Sequence, residues 1–191
     1  MNIAILGSTR GSNMLAIAQA LEKKRLNVRI ALVVSNKKNA MILERAVSLG
    51  FKAMHLPVNG LTRAAYDKKL SAILEDHAID LIVLIGYMRI LSADFVKHWQ
   101  QRIINTHPSL LPAYAGKMDL AVHEAVLADH QTISGCSIHY VTEALDAGPI
   151  ILQKKCEGFK DDTAERLKQR VQALEAEALI ETIQHLQAQG L

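Results

Sequence analysis

Near its amino terminus the chain reads Asn2-Ile-Ala-Ile-Leu-Gly7-Ser-Thr-Arg-Gly11-Ser-Asn13. The apolar run Asn2–Leu6 predicts a short buried strand that ends at Gly7, and apolar side chains at helical spacing from Met14 to Lys24 predict a helix. A strand that turns into a helix through a segment rich in glycine and hydroxyl groups is the opening unit of an α/β sheet. The remainder of the chain extends this pattern.

The same alternation of strands and helices continues through the first half of the chain. The expected strands are 28–35, 51–56, 81–85 and 102–105, and the expected helices are 40–49, 62–77 and 92–99. Continuous apolar strands separated by amphipathic helices indicate a parallel sheet that is covered on both faces. The sequence therefore predicts the α/β class, with a doubly wound, mostly parallel sheet and helices on both faces, a variant of the Rossmann arrangement.

The second half of the chain is less regular. It contains a predicted helix at 122–128, two predicted pairing strands at 134–141 and 148–155, and a long helix that begins at 161–163 and extends to His185. Because no linker or internal repeat separates the halves, we predict one domain over 1–191. Within it, 1–105 form a regular α/β half, and 106–191 contribute loops, strands and the long C-terminal helix.

Composition excludes several classes of protein. Half of the 191 residues are apolar and the formal net charge is +3, which favours a globular core and argues against a nucleic-acid partner. Neither Cys136 and Cys156 nor the histidines show metal-ligand spacing, so we expect reduced thiols and no metal. The first residues do not resemble a signal peptide, and the apolar run Leu81–Ile85 is too short to span a bilayer. We expect a cytoplasmic monomer or homodimer that binds small molecules and has no membrane partner.

The turn from Gly7 to Asn13 is a candidate anion site. Free backbone N–H groups and the helix dipole attract negative charge at such a turn, where Gly11 permits close approach and Ser12 and Asn13 supply polar groups. No Gly-Lys-Ser/Thr follows, so the turn is not a P-loop, and no acidic residue ends the second strand as dinucleotide binding would require. A plain tight turn between strand and helix is the alternative interpretation.

A second candidate segment, Asn105-Thr-His107-Pro-Ser-Leu-Leu-Pro112, lies just past a predicted buried strand. The carboxyl ends of parallel strands are where ligands bind in open α/β sheets. Asn105 can donate its amide N–H to a developing oxyanion, and His107 can do the same or transfer a proton near neutral pH. The two prolines restrict the loop that holds these donors. A structural histidine and a turn asparagine are the alternative.

Two further segments contain candidate site residues. Asp146 lies in a turn between two predicted strands, and a carboxylate that reached His107 would orient its ring and accept a proton from a reacting group. The segment Gly86-Tyr-Met-Arg-Ile-Leu91 combines apolar groups, a ring and a cation, which suits a flat aromatic ligand with polar edges. His139 either faces the same cleft as Asp146 or has a structural role. The alternative for Asp146 is an ordinary turn aspartate. The alternative for the segment 86–91 is a core strand end followed by a loop.

In this order along the chain, the motifs resemble those of the folate-dependent formyltransferases. The anion turn, the segment ending at Leu91, the Asn105/His107 motif and Leu145-Asp-Ala-Gly148 all match, and the resemblance covers nearly the whole chain. It implies transfer of a formyl group from the co-substrate 10-formyltetrahydrofolate to the amine of 5′-phosphoribosylglycinamide in de novo purine biosynthesis, without a metal.

The resemblance also implies a role for each matching residue. Asn105, His107 and Asp146 match the catalytic trio of the family. The family's loop for the substrate phosphate matches Gly11, Ser12 and Asn13. The acidic residue with which the family contacts the glycinamide substrate matches Glu175. The residues that match the folate-binding set are Arg63, Met88, Arg89, Ile90, Leu91 and Thr142.

The chain departs from the family pattern in two places. It has Thr9-Arg10 in the anion turn, and the stretch 115–122 is a few residues longer than usual, with His123 as the candidate for a histidine common in this region. Both departures lie on the acceptor side. A sugar-nucleotide N-formyltransferase therefore remains an alternative, as does a non-catalytic protein that binds folate or a phosphoribosyl group.

Overall fold

The structure, a computed structural model, describes residues 1–190. Its strands are β1 (Asn2–Gly7), β2 (Arg29–Ser35), β3 (Ala53–His55), β4 (Leu81–Ile85), β5 (Ile103–His107), β6 (Ile133–Tyr140) and β7 (Ile150–Glu157). Its helices are α1 (Ser12–Glu22), α2 (Met41–Ser48), α3 (Arg63–Asp76), α4 (Ala93–His98), α5 (Leu120–Ala128) and α6 (Ala164–Ala188). Every predicted element is present, and most of the boundaries differ by only a few residues.

The strands form one sheet in the order β3-β2-β1-β4-β5-β6-β7. The pairs from β3 to β5 are parallel, whereas β6 pairs antiparallel to both β5 and β7. This arrangement confirms the predicted doubly wound, mostly parallel sheet within a single domain. Antiparallel pairing accounts for part of the irregularity in the second half of the sequence, since β6 and β7 are joined by the loop 141–149 without a helix.

Burial on both faces of the sheet explains the continuous apolar strands. In β1, Ile3 and Ile5 pack into one apolar cluster, with side chains of α1, α2, α5 and α6, whereas Ala4 and Leu6 pack into another, with side chains of α3 and α4. Successive side chains of a strand point to opposite faces, so a strand covered on both sides has no polar alternation. The two clusters place helices on both faces, as predicted.

The largest boundary differences have local causes. The predicted strand 51–56 is reduced to the three residues of β3, which has only β2 as a neighbour and forms an edge of the sheet. The long helix α6 begins after the N-cap Thr163, whose side chain accepts a hydrogen bond from the Arg166 N–H, and it ends at Ala188 rather than at His185. Within residues 1–190, no helix has both the length and the apolarity that crossing a membrane requires.

Gly135 permits a close approach of three segments. A Cβ atom at this position would lie 2.0 Å from the carbonyl oxygen of Lys154 on β7 and 2.9 Å from Cδ2 of Leu110. The missing side chain therefore lets the loop that follows β5 pack directly on the β6·β7 pair.

We expect Gly135→Ala to destabilise the fold by about 3 kcal/mol, because a backbone carbonyl cannot move aside as a flexible side chain can. Gly50→Ala is the matched control: Gly50 has a φ of 77°, and no atom of residues 1–190 lies within 4 Å of the added Cβ. Its cost is the left-handed backbone alone, about 1 kcal/mol. Urea denaturation measures both variants, and equal losses of stability would contradict the proposed close approach.

Candidate active site

The candidate active site lies along the carboxyl ends of β1, β4 and β5. The chain adds β2 and β3 on one side of β1, then crosses over to add β4 and β5 on the other, so the strand order reverses between β1 and β4. Ligands of open α/β sheets bind in the crevice at such a reversal. The three candidate segments, 7–13, 86–91 and 105–112, begin within the last residues of these three strands or directly after them.

Asn105 and His107 are brought to the site by β5. Both lie in its last three residues, and the antiparallel register places Asn105 opposite His139 and His107 opposite Ser137. Residues two apart on a strand point to the same face, so the two side chains share one side of the sheet. His107 is buried, with 4 % of its surface exposed.

Asp146 meets both histidines, although it is distant from His107 in sequence. Its Oδ2 atom lies 3.4 Å from Nδ1 of His107, and its Oδ1 atom lies 3.7 Å from Nε2 of His139. The backbone N–H of Gly116 donates a hydrogen bond to the same Oδ2 at 2.9 Å. With only 8 % of its side chain exposed, Asp146 is a nearly buried carboxylate held between two rings.

His139 orients Asn105. Its Nδ1 lies 2.9 Å from the Tyr140 carbonyl oxygen, and its Nε2 lies 3.2 Å from Nδ2 of Asn105. A carbonyl can only accept, so Nδ1 carries the proton and the neutral Nε2 accepts from the Asn105 amide. Burial lowers the pKa of His139, which favours this neutral form. The second amide hydrogen of Asn105 is then available to a ligand.

This role of His139 was only weakly indicated by the amino-acid pattern. The alternation of side chains on the predicted strand allowed His139 to face the cleft. A structural role for His139 was equally consistent with that alternation. What decides the matter is the pairing of β6 with β5, which no local pattern specifies.

Ser137 anchors the loop that follows His107. The Ser137 hydroxyl donates to the Ser109 carbonyl at 2.7 Å and accepts from the Leu111 N–H at 2.9 Å. Gln153 on β7 donates to both Ser137 Oγ and the Leu111 carbonyl, each at 2.9 Å. The loop returns to the site, where the Tyr114 carbonyl oxygen lies 3.2 Å from Nε2 of His107. Both ring nitrogens of His107 thus face acceptors.

The predicted anion turn ends at the start of α1. Gly11 is the residue before the helix and has a φ of 71°, a left-handed value that glycine adopts without strain. Ser12 is exposed, whereas Asn13 is buried and donates its amide to Oε2 of Glu175 at 3.1 Å. The first N–H groups of α1 have no partner within the helix, so they are available to an anion.

Glu175 is buried on α6, beside Asn13. Burial raises its pKa to about 7, against the smaller opposing effects of the Asn13 hydrogen bond and the Lys168 charge. The turn and Glu175 therefore form one polar site at the N-terminus of α1.

The segment 86–91 forms an exposed wall beside the turn. Met88 and Ile90 are about half exposed, whereas Leu91 is buried. The Arg89 guanidinium lies 4.2 Å from the centre of the Tyr66 ring on α3. Arg63 is the exposed first residue of α3, and Thr142 donates its hydroxyl to the Ala144 carbonyl at 3.1 Å in the loop that carries Asp146.

The two departures from the family pattern have definite positions. The Arg10 side chain is exposed, and its carbonyl accepts a hydrogen bond from Nη1 of Arg45 on α2 at 2.8 Å. In the longer stretch, Asp119 precedes α5 and pairs with Lys168 of α6. His123 is buried on α5, and burial lowers its pKa to about 4.

This geometry suits acyl transfer. Asn105 offers an amide hydrogen, His107 offers a ring beside a carboxylate, and Asp146 offers a proton acceptor, all at one end of β5. The family described as formyl transferase matches residues 1–183 of the chain. The chain belongs to the formyl transferase family. The predicted resemblance and fold class are thereby confirmed.

Individual members of the formyl transferase family are similar over most of the chain. The phosphoribosylglycinamide formyltransferase of Escherichia coli is 41 % identical over 176 residues, which cover 92 % of this chain and 82 % of that protein. That of Bacillus subtilis is 38 % identical, with 90 % and 87 % covered. The bovine trifunctional purine biosynthetic protein adenosine-3 is 36 % identical, but the chain spans only 17 % of its length.

Solved structures of the family share the fold. The phosphoribosylglycinamide formyltransferase of Coxiella burnetii has a TM-score of 0.90 at 40 % identity, covering 96 % of this chain and 85 % of that one. Glycinamide ribonucleotide transformylase 1 of Symbiobacterium toebii has a TM-score of 0.90 at 36 % identity, with the same coverage. These similarities extend through the antiparallel strands that carry His139 and precede α6.

The raised pKa of Glu175 predicts a pH-dependent stability. The folded protein holds this proton until pH passes about 7, whereas the unfolded chain loses it near the ordinary value of 4.5. Between these values the folded state binds more protons, so stability falls as pH rises. We expect Glu175→Gln to match the wild type at pH 5 and to exceed its stability at pH 8 by roughly 2–3 kcal/mol.

Denaturant titrations at the two pH values measure this difference. Glu165→Gln is the control, because Glu165 is exposed on the same helix and should leave the pH dependence of stability unchanged. If Glu175→Gln retained the pH dependence of the wild type, the buried protonated carboxyl would be excluded.

Proposed function

We propose that this chain transfers the formyl group of 10-formyltetrahydrofolate to the amine of 5′-phosphoribosylglycinamide, a step of de novo purine biosynthesis. The observation that carries the proposal is the meeting of Asn105, His107 and Asp146 at the carboxyl end of β5. The proposal is also supported by two phosphoribosylglycinamide formyltransferases, which are similar to this chain over about nine-tenths of its length.

In the proposed reaction the neutral amine attacks the formyl carbon. A bond forms between the amine nitrogen and that carbon, and the formyl oxygen gains negative charge in the tetrahedral intermediate. Asn105 donates its free amide hydrogen to this oxygen, and His107, in its protonated form, stabilises the negative charge electrostatically. The bond from the carbon to the folate nitrogen then breaks. The amine proton passes to that nitrogen, so the products are the formylated amide and tetrahydrofolate.

Asp146 has two functions in this proposal. Its carboxylate lies beside Nδ1 of His107 and orients the ring. It also relays the proton from the amine to the leaving nitrogen, directly or through water. The Gly116 N–H, donated at 2.9 Å, fixes the carboxylate in the position that both functions need.

The remaining residues are assigned to the two substrates. Gly11, Ser12 and Asn13 bind the phosphate at the N-terminus of α1, and Glu175, held by Asn13, contacts the glycinamide. The folate binds along the exposed wall, with contacts from Arg63, Met88, Arg89, Ile90, Leu91 and Thr142. In this scheme 1–105 form the phosphate-binding half of the domain, and 106–191 supply the catalytic loops and α6.

The test is a steady-state assay that follows tetrahydrofolate release with both substrates present. We expect His107→Ala and Asp146→Asn each to lower kcat by on the order of 10²–10³, because each removes stabilisation that exists only in the transition state. The KM values should change little.

His185→Ala and Asp161→Asn are the matched controls, since both residues are exposed and lie outside the site. Near-normal turnover in His107→Ala or Asp146→Asn would overturn the mechanism. Binding of both substrates by the wild type without release would indicate a binding protein, and release with a sugar-nucleotide amine alone would indicate a different acceptor.

A further inference from the structure

Ser8 joins the two loops that border the crevice. It follows β1 and is buried, with 4 % of its surface exposed. Its backbone N–H donates to the Gly86 carbonyl at 3.0 Å, and its hydroxyl accepts from the Met88 N–H at 3.0 Å. One residue of the anion turn therefore makes hydrogen bonds on both sides of residue 87, within the wall assigned to folate.

The two loops also touch directly at this place. A Cβ atom on Gly86 would lie 2.4 Å from Oγ1 of Thr9, so the backbone of one loop packs against a side chain of the other. A change in the position of the turn is therefore passed to the wall through packed atoms.

Asn36 determines the direction of the Ser8 hydroxyl. The hydroxyl donates its hydrogen to Oδ1 of Asn36, just after β2, at 2.6 Å. A serine hydroxyl has one hydrogen and two lone pairs, so committing the hydrogen to Asn36 leaves a lone pair for the Met88 N–H. Asn36 is near the end of the second strand, where a dinucleotide-binding protein would have an acidic residue. In this chain the Asn36 side chain instead accepts a hydrogen bond from Ser8.

We propose that Ser8, oriented by Asn36, is a positioning residue for the folate-binding wall. The inference rests on the proposed function, because it assigns folate to the segment 86–91. The Ser8 hydroxyl holds the Met88 backbone in the position from which the exposed side chains of Met88 and Ile90 contact the folate. The phosphate-binding residues depend on other contacts, chiefly the bond between Asn13 and Glu175.

The experiment measures the dissociation constant of tetrahydrofolate by calorimetry, and both KM values in the formyl-transfer assay. We expect Ser8→Ala to weaken tetrahydrofolate binding about tenfold, as the loss of one hydrogen bond predicts. The KM for the phosphoribosyl substrate should change by less than about twofold, since that side keeps its contacts. Asn36→Ala should have a smaller effect, roughly two- to threefold, because the hydroxyl survives but rotates.

The double variant Ser8→Ala/Asn36→Ala should bind tetrahydrofolate as weakly as Ser8→Ala and no more weakly, since Asn36 acts through the hydroxyl. Ser48→Ala is the control: it removes an exposed serine hydroxyl that donates to the nearby Arg45 carbonyl, and it should alter neither constant. If Ser8→Ala does not fold, Asn36→Ala provides the test. It should weaken tetrahydrofolate binding and leave the KM for the phosphoribosyl substrate unchanged.

Amide hydrogen exchange of Met88 supplies a readout that is independent of folate. We expect faster exchange in Ser8→Ala together with weaker tetrahydrofolate binding. Faster exchange with unchanged tetrahydrofolate binding would overturn the inference. The hydrogen bond from Met88 to Ser8 would then stabilise the fold without affecting the folate site. An equal rise in both KM values would also overturn it. Failure of the wild type to bind tetrahydrofolate would instead overturn the proposed function, and the inference with it.

Discussion

The parallel pairing of β1 with β4 is the constraint on which the site depends. Five consecutive pairs, from Ile3 opposite Leu81 to Gly7 opposite Ile85, place the ends of the two strands side by side at the centre of the sheet. These strands are buried on both faces, so a slip of one residue would exchange the two apolar clusters. The register thereby aligns the anion turn with the wall that begins at Gly86, and Ser8 can bond across the gap.

The antiparallel strands add the chemistry to this frame. Because β6 runs opposite to β5, His139 returns to a position beside Asn105, and the loop after β6 brings Asp146 to His107. That loop folds back tightly: a Cβ atom on Gly148 would lie 1.8 Å from the Tyr140 carbonyl oxygen. A parallel strand at this position would require a crossover of a dozen or more residues and would not return the chain so directly.

Sequence patterns indicated some of the candidate site residues and gave little indication of others. Asn105 and His107 were accessible because they end an apolar strand, which is where ligands bind in such folds. Glu175 lay on a helix face that periodicity alone describes as structural, and only the family resemblance suggested its role. Ser8 and Asn36 gave no signal, since each is a common residue in a turn, and the bond between them joins positions that are distant in sequence.

The sequence by itself determined the class of the fold, the order of its elements and the family, because these follow from local apolar periodicity and from motifs of adjacent residues. Tertiary structure alone decided which polar side chains meet. The approach of Asp146 to His107 depends on antiparallel pairing, and the raised pKa of Glu175 depends on the burial of its carboxyl group on α6. Burial and long-range contact arise from the packing of the whole chain, so no local pattern contains them.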